Sequence, residues 1–118
     1  DRPHIMENMI YNELRSRGYD VDVGVVKFRK KIDERMVQVT SEVDFIAKMG
    51  SRITYIQSAY RIDDPEKKEQ ELRSLLKIND SFKKVMIVGD NMRPNMDDNG
   101  ILFIGLIQFL LDENSLDG

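Results

Sequence analysis

At 118 residues and 13.8 kDa the chain has the size of one domain and can bury a core without staples. Its 41% apolar and 33% charged residues exclude a disordered segment, and the absence of cysteine excludes disulfides, thiolate catalysis and cysteine-ligated zinc while favouring the cytoplasm. A net charge of −3 supplies no whole-domain attraction to nucleic acid, so any such contact must come from local patches.

Near the amino terminus, Pro3 suits a first helical turn, and Ile5, Met6, Met9, Ile10 and Leu14 recur at helical spacing until Gly18 offers a stop. On this helix Glu7 and Glu13 intrude into the apolar arc. Each needs either an edge ion pair or a functional role, because an unpaired buried carboxylate is costly. Tyr19 to Val26 alternates apolar with polar or small residues and predicts a half-buried strand. The charged stretch Lys27–Arg35 reads as a strand end and a solvated hairpin tip, where Arg29, Lys30 and Lys31 could meet phosphate.

A second strand is expected from about Met36 to Ala47, long enough to hold a bulge, and Met49-Gly50-Ser51 turns the chain into a third, Arg52 to Tyr60. On the period of two, Asp44 points with Glu42 and Ile46, and Gln57 with Tyr55 and Ala59. The acid and the amide could then meet on one surface of a rigid hairpin. Asp64-Pro65 starts a second helix, with Leu72, Leu75 and Leu76 as its apolar stripe and Glu69–Arg73 as a favourable pair, ending near Asn79-Asp80.

Val85-Met86-Ile87-Val88 has the continuous apolarity of a buried parallel strand, and the helix before it supplies the crossover. Gly89 to Gly100 reads as a polar loop in which Asp97-Asp98 makes a turn, without the ligand spacing of a calcium loop. Ile101 to Leu111 predicts a short strand leading into a terminal helix, with Ile104, Ile107, Leu110 and Leu111 inward, and the tail after Asp112 is expected to fray. The apolar run is too short and too interrupted to span a membrane, for which roughly 20 residues are needed. A start at Asp1 with no signal pattern reads as a piece of something longer. His4 has no second histidine with which to share a metal, Ser58 and Ser81 have no triad spacing, and the seven methionines read as core filler. The whole is an α/β fold with a mixed central sheet flanked by helices, in one domain over 1–118.

The order helix-strand-strand-strand-helix-strand, with an acid on the first helix and an aspartate on the second strand, resembles the restriction-endonuclease-like PD-(D/E)xK fold. Within it, Glu7 to Leu14, Gly18-Tyr19, Glu42-Val43-Asp44-Phe45, Tyr55-Ile56-Gln57 and Leu75 to Lys84 look like the C-terminal domain of uncharacterised bacterial AAA-type ATPases. The resemblance implies an N-terminal ATPase domain as partner in the same protein, with ATP bound only there. These 118 residues hold no phosphate-cradling loop of their own.

Active members of the superfamily hold Mg²⁺ with the helix acid, the strand aspartate and a glutamate on the next strand, and orient water with a lysine two residues on. Carried over, Glu7 and Asp44 match the acids, Gln57 replaces the second-strand acid and Ala59 replaces the lysine, which leaves Glu7, Asp44 and Gln57 as the possible metal ligands. The change from Glu to Gln removes attraction to a divalent ion on the order of 8 kcal/mol at ~4 Å and an effective dielectric of ~20, before desolvation offsets much of it. A lysine would have to come from the next helix, where Lys67, Lys68 and Lys77 stand. Lys67 and Lys68 also join Arg29, Lys30 and Lys31 as possible nucleic-acid contacts. Three readings result: a non-catalytic accessory domain that binds nucleic acid or a protein partner, a Mg²⁺-dependent DNA endonuclease with a displaced lysine, and a structural or oligomerisation module.

Overall fold

The chain, described here over residues 1–117 of a computed structural model, forms α1 (Arg2–Ser16), β1 (Asp20–Ile32), β2 (Arg35–Met49), β3 (Arg52–Ala59), α2 (Pro65–Lys77), β4 (Lys83–Val88), β5 (Asn95–Met96), β6 (Ile101–Gly105) and α3 (Leu106–Leu111). The six strands make one mixed sheet in the order β1-β2-β3-β4-β6-β5. β1, β2 and β3 meander antiparallel, β3, β4 and β6 run parallel, and β5 returns antiparallel along β6. The α/β fold with a mixed sheet flanked by helices is as the sequence pattern implies.

Local chemistry sets both ends of α1 and the start of α2. The Asp1 side chain caps α1 by accepting from the His4 amide, which accounts for His4 as part of a helix start. At the other end the Tyr19 and Gly18 amides bond back to the Leu14 and Arg15 carbonyls, with Gly18 at a φ of +96° where a side chain would be strained. Asp64 caps α2 through Oδ1 to the Glu66 amide at 3.1 Å, and Pro65 takes the first turn.

The sheet separates two apolar clusters. Met6, Ile10 and Leu14 of α1 and Phe109 of α3 pack with Val21, Phe45, Ala47, Ile56, Val85, Ile87 and Ile104 on one face. Leu75 and Ile78 close the opposite face over Val43, Tyr55, Ala59, Met86, Val88 and Phe103. β4 is covered on both sides, hence its unbroken apolar run.

Several expectations are corrected. The strand pattern continues through the charged stretch, so β1 and β2 extend to a two-residue turn at Asp33-Glu34, both at positive φ. Ile5 and Met9 lie on the outer side of α1, and Leu76 is outward on α2. In α3, Phe109 fills the core while Ile107 and Leu111 face out, because a helix of six residues presents only one inward turn. The loop after β4 contains β5, and Asp97 Oδ1 makes the expected turn by accepting from the Asn99 and Ile101 amides. The tail packs instead of fraying: Leu116 is 2% exposed, and its carbonyl accepts from Lys83 Nζ at 2.9 Å. Of the methionines, Met6 and Met86 are core, whereas Met9, Met36, Met49 and Met96 are exposed. Among the described residues no helix is long and apolar enough to cross a membrane.

Candidate functional site

The site is made by a change of register. β1 and β2 pair regularly from Ile32/Arg35 to Gly24/Val43, and resume at Asp22/Ile46, so Asp44 and Phe45 together oppose Val23. This bulge resets the alternation of β2: Val43 belongs to the α2-side cluster and Phe45 to the α1-side cluster, although they lie two residues apart. Asp44 therefore turns towards α1, away from the face that simple alternation assigns it. Gln57 stays on the α2 side, bonded to Glu71. The acid and the amide do not share a face, as the period of two had implied.

They are joined across the gap where the strands part. The β2–β3 ladder ends at Phe45/Ile56. Beyond it, β2 leaves to follow β1 and β3 stays with β4, and side chains take over the backbone pairing. Gln57 Oε1 accepts from the Asp44 amide at 2.9 Å, and Asp44 Oδ2 accepts from both the Ser58 amide and Ser58 Oγ, each at 2.8 Å. Gln57 Nε2 then donates to Glu71 Oε2 of α2 at 2.8 Å. Both ends of the Gln57 amide are thus spent, and its neutral head carries a hydrogen bond that a glutamate could not make to another ionised carboxylate.

Glu7 reaches the same place from α1, one residue past the buried Met6 and one turn before Tyr11, whose ring packs 6.2 Å from that of Phe45. Burial first, then the charge and hydrogen bond of Asp44 and the charge of Glu71, push the Glu7 carboxyl above its ordinary value, with His4 opposing. Glu7 therefore holds its proton more tightly than a free glutamate does, because it is part-buried and faces the Asp44 carboxylate. Glu71 is also raised, by burial and by Asp44, against the opposing pull of Gln57 and Lys67. Three carboxyl groups from two helices and a strand bulge converge, and the proton affinity of Glu7 and Glu71 is raised first by burial and then by the charge of Asp44.

The cluster stands between two open clefts, of about 720 and 900 Å³. Glu7, Asp44, Gln70 and Glu71 line both. The first continues over Val25 and Glu42 of the hairpin, and its walls carry no cation; the second passes Ser58, Ala59, Arg61 and Lys67. Ala59 is buried and places only a methyl where the resemblance would put an ammonium.

Of the lysines on α2, Lys67 lines the second cleft, Lys68 lies over the Phe103 ring at 5.4 Å, and Lys77 in the last turn lines neither. Arg29, Lys30 and Lys31 project from the distal hairpin, away from both clefts. Glu13 serves structure: its Oε2 receives Arg17 Nε at 2.7 Å, and Arg17 goes on to Ser115 Oγ and the Phe109 carbonyl.

Glu71 was missed in the sequence. Its signal is the spacing of four to Leu75, which puts it at the head of the buried stripe of α2. With its Gln57 and Asp44 partners it completes the cluster.

No family model matches the chain. A Haemophilus influenzae protein described as uncharacterized is 38% identical over 106 residues, covering 90% of this chain and 22% of that protein. The chain thus spans about a fifth of that relative's length. A crystal structure of a Vibrio cholerae protein is similar with a TM-score of 0.49 and 14% identity, covering 94% of this chain and 31% of that one.

The donor set does not fit a resident Mg²⁺ as it stands. Gln57 Oε1 is taken by the Asp44 amide, Asp44 Oδ2 by two donors from Ser58, and among the described residues no three acidic or histidine side chains are arranged to hold a metal. The arrangement can bind protons, fix the splay between β2 and β3, and keep two clefts acidic at their junction.

Proposed function

We propose that the chain is a non-catalytic accessory domain on a nuclease-like, PD-(D/E)xK scaffold, serving an AAA-type ATPase domain of the same protein as a binding module. The observation that carries this reading is the Gln57 bridge. In the resemblance, positions 57 and 59 supply a metal-binding carboxylate and a water-orienting ammonium; here the first is an amide with both ends committed and the second is a buried methyl. Of the remaining acids, Asp44 accepts from Ser58 and Glu71 accepts from Gln57. With 78% of the Haemophilus relative outside the matched length, that protein has room for a further domain.

Calorimetric titration of Mg²⁺ and Mn²⁺ into the parent and into Asp44→Ala tests the reading. It expects no saturable binding at millimolar ion in either protein and no cleavage of plasmid DNA. Binding in the parent that is lost in Asp44→Ala would overturn it.

A second reading is a metal-dependent DNA endonuclease with a displaced lysine. It is favoured by Glu71 as a third carboxylate and by Lys67 in the adjoining cleft. It requires Gln57 to release Glu71, and it predicts ion-dependent cleavage abolished by Asp44→Ala and weakened by Lys67→Ala.

A further inference from the structure

Beyond Val43, β2 has no partner except β1, and β1 is the edge of the sheet. The two strands run on as a ribbon from Gly24/Val43 to Ile32/Arg35, eight steps, or about 27 Å at ~3.4 Å per residue. Its base is held to α2 by Ser41 Oγ donating to the Ser74 carbonyl at 2.7 Å. Farther out, Lys27, Arg29 and Lys31 and their opposite numbers Thr40, Gln38 and Met36 are all exposed on the α1-side face.

Charge on this ribbon is segregated from the rest of the chain. Residues 27–35 carry five cations against two acids, in a protein whose net charge is −3. Among the described residues none of Lys27, Arg29, Lys30, Lys31 and Arg35 is in an ion pair, although other lysines and arginines form six with carboxylates. Register decides how they are displayed. Lys27, Arg29 and Lys31 alternate along one strand and share one face with their opposite numbers Thr40, Gln38 and Met36. They form a row with a spacing of about 6.8 Å, twice the strand rise, which is comparable to the through-space step between neighbouring phosphates of one DNA strand, since these wind around the axis as they rise ~3.4 Å each. The row can therefore meet successive phosphates. A two-stranded ribbon also has the width that a major groove of ~12 Å admits.

At its base the same face runs into the acidic cleft through Val25 and Glu42, towards Glu7 and Glu71. A polyanion would be attracted at the tip and repelled at the root. We propose that the β1–β2 ribbon is a duplex-DNA grip, with Lys27, Arg29 and Lys31 on the phosphates and the DNA held away from the carboxylate cluster. The inference rests on the reading of the domain as a binding module and names its partner; it does not depend on whether the cluster takes a metal.

The test is fluorescence anisotropy of a 30-base-pair duplex with the 118-residue chain at 50, 100 and 200 mM NaCl, repeated with the triple variant Lys27→Gln/Arg29→Gln/Lys31→Gln and with Lys67→Gln/Lys68→Gln. Three phosphate contacts predict a log–log salt slope near −2.7, about a 40-fold loss of affinity from 50 to 200 mM. The triple variant should bind at least 10-fold more weakly at 50 mM while melting like the parent, and the α2 variant should bind as the parent does. Equal binding by the triple variant, or a flat salt response, would overturn the proposal. So would no binding at 50 mM, which would assign the ribbon to a protein partner. Metal titration reports separately on the non-catalytic reading, so failure of one is distinguishable from failure of the other.

Discussion

Gln57→Glu is isosteric and places a carboxylate oxygen 2.8 Å from Glu71 Oε2, where an amide donor now stands. Two ionised carboxylates at that distance repel by about 6 kcal/mol at an effective dielectric of ~20. Protonating one of them is cheaper: from an ordinary glutamate value it costs about 4 kcal/mol at pH 7 and about 1 kcal/mol at pH 5. The folded variant therefore holds a proton between Glu71 and the new acid that the unfolded chain releases. Its folded-state proton affinity is raised, so its stability is intact below the unfolded value and falls as pH rises, by about 1.4 kcal/mol per pH unit.

Urea unfolding of parent and variant at pH 5, 6 and 7 should show the stability gap widening from about 1 to about 4 kcal/mol with unchanged m. The swap Gln57→Glu/Glu71→Gln keeps one acid and one amide and should abolish that pH dependence. A gap that is the same at pH 5 and pH 7 would refute the Gln57–Glu71 contact.

Asp44→Ala removes the acceptor of the Ser58 amide and hydroxyl and should cost about 2–3 kcal/mol, whereas Asp44→Asn, which can still accept, should cost less in the same urea assay. Since the Glu7 carboxyl is raised, it contributes a loss of stability as pH rises above the ordinary glutamate range; Glu7→Gln should flatten the thermal-melt profile between pH 4 and 7. Asp80 behaves oppositely. Burial raises its carboxyl, but hydrogen bonds from Tyr55, Lys84 and the Phe82 amide outweigh this and lower it, so stability is lost as pH falls through its folded value, and Asp80→Asn should remove that acid-side loss. Arg17→Ala strands Glu13 and the Phe109 carbonyl, and should cost about 3–5 kcal/mol by urea unfolding.

The parts of this structure that were legible in the sequence are those written in local chemistry. Gly18 and Asp64-Pro65 mark helix ends because only certain residues satisfy those backbone groups, and Val85–Val88 marks a strand buried on both faces. Glu7, Asp44 and Gln57 do come together, but not in the way that alternation implies. A bulge resets the period without changing residue types, and Val43 and Phe45, both apolar, look alike whichever face they take. Glu71 was hidden for a related reason: Leu75 and Leu76 are equally apolar, and only packing against the sheet shows that Leu75 points inward, which puts Glu71 on the inward edge. The buried Leu116 depends on contacts with β4, over thirty residues away in sequence, and no local pattern announces it.

The central claim is that Gln57 and Ser58 hold Asp44 and Glu71 by hydrogen bonds, and that Glu7 beside them has a raised proton affinity, in place of a bound cation. Carboxyl-carbon NMR of Glu7 through a pH titration, with and without 5 mM Mg²⁺, tests it most directly. The account predicts a midpoint above the ordinary glutamate value that Mg²⁺ leaves in place. An ordinary midpoint, or one driven down by Mg²⁺, would contradict it.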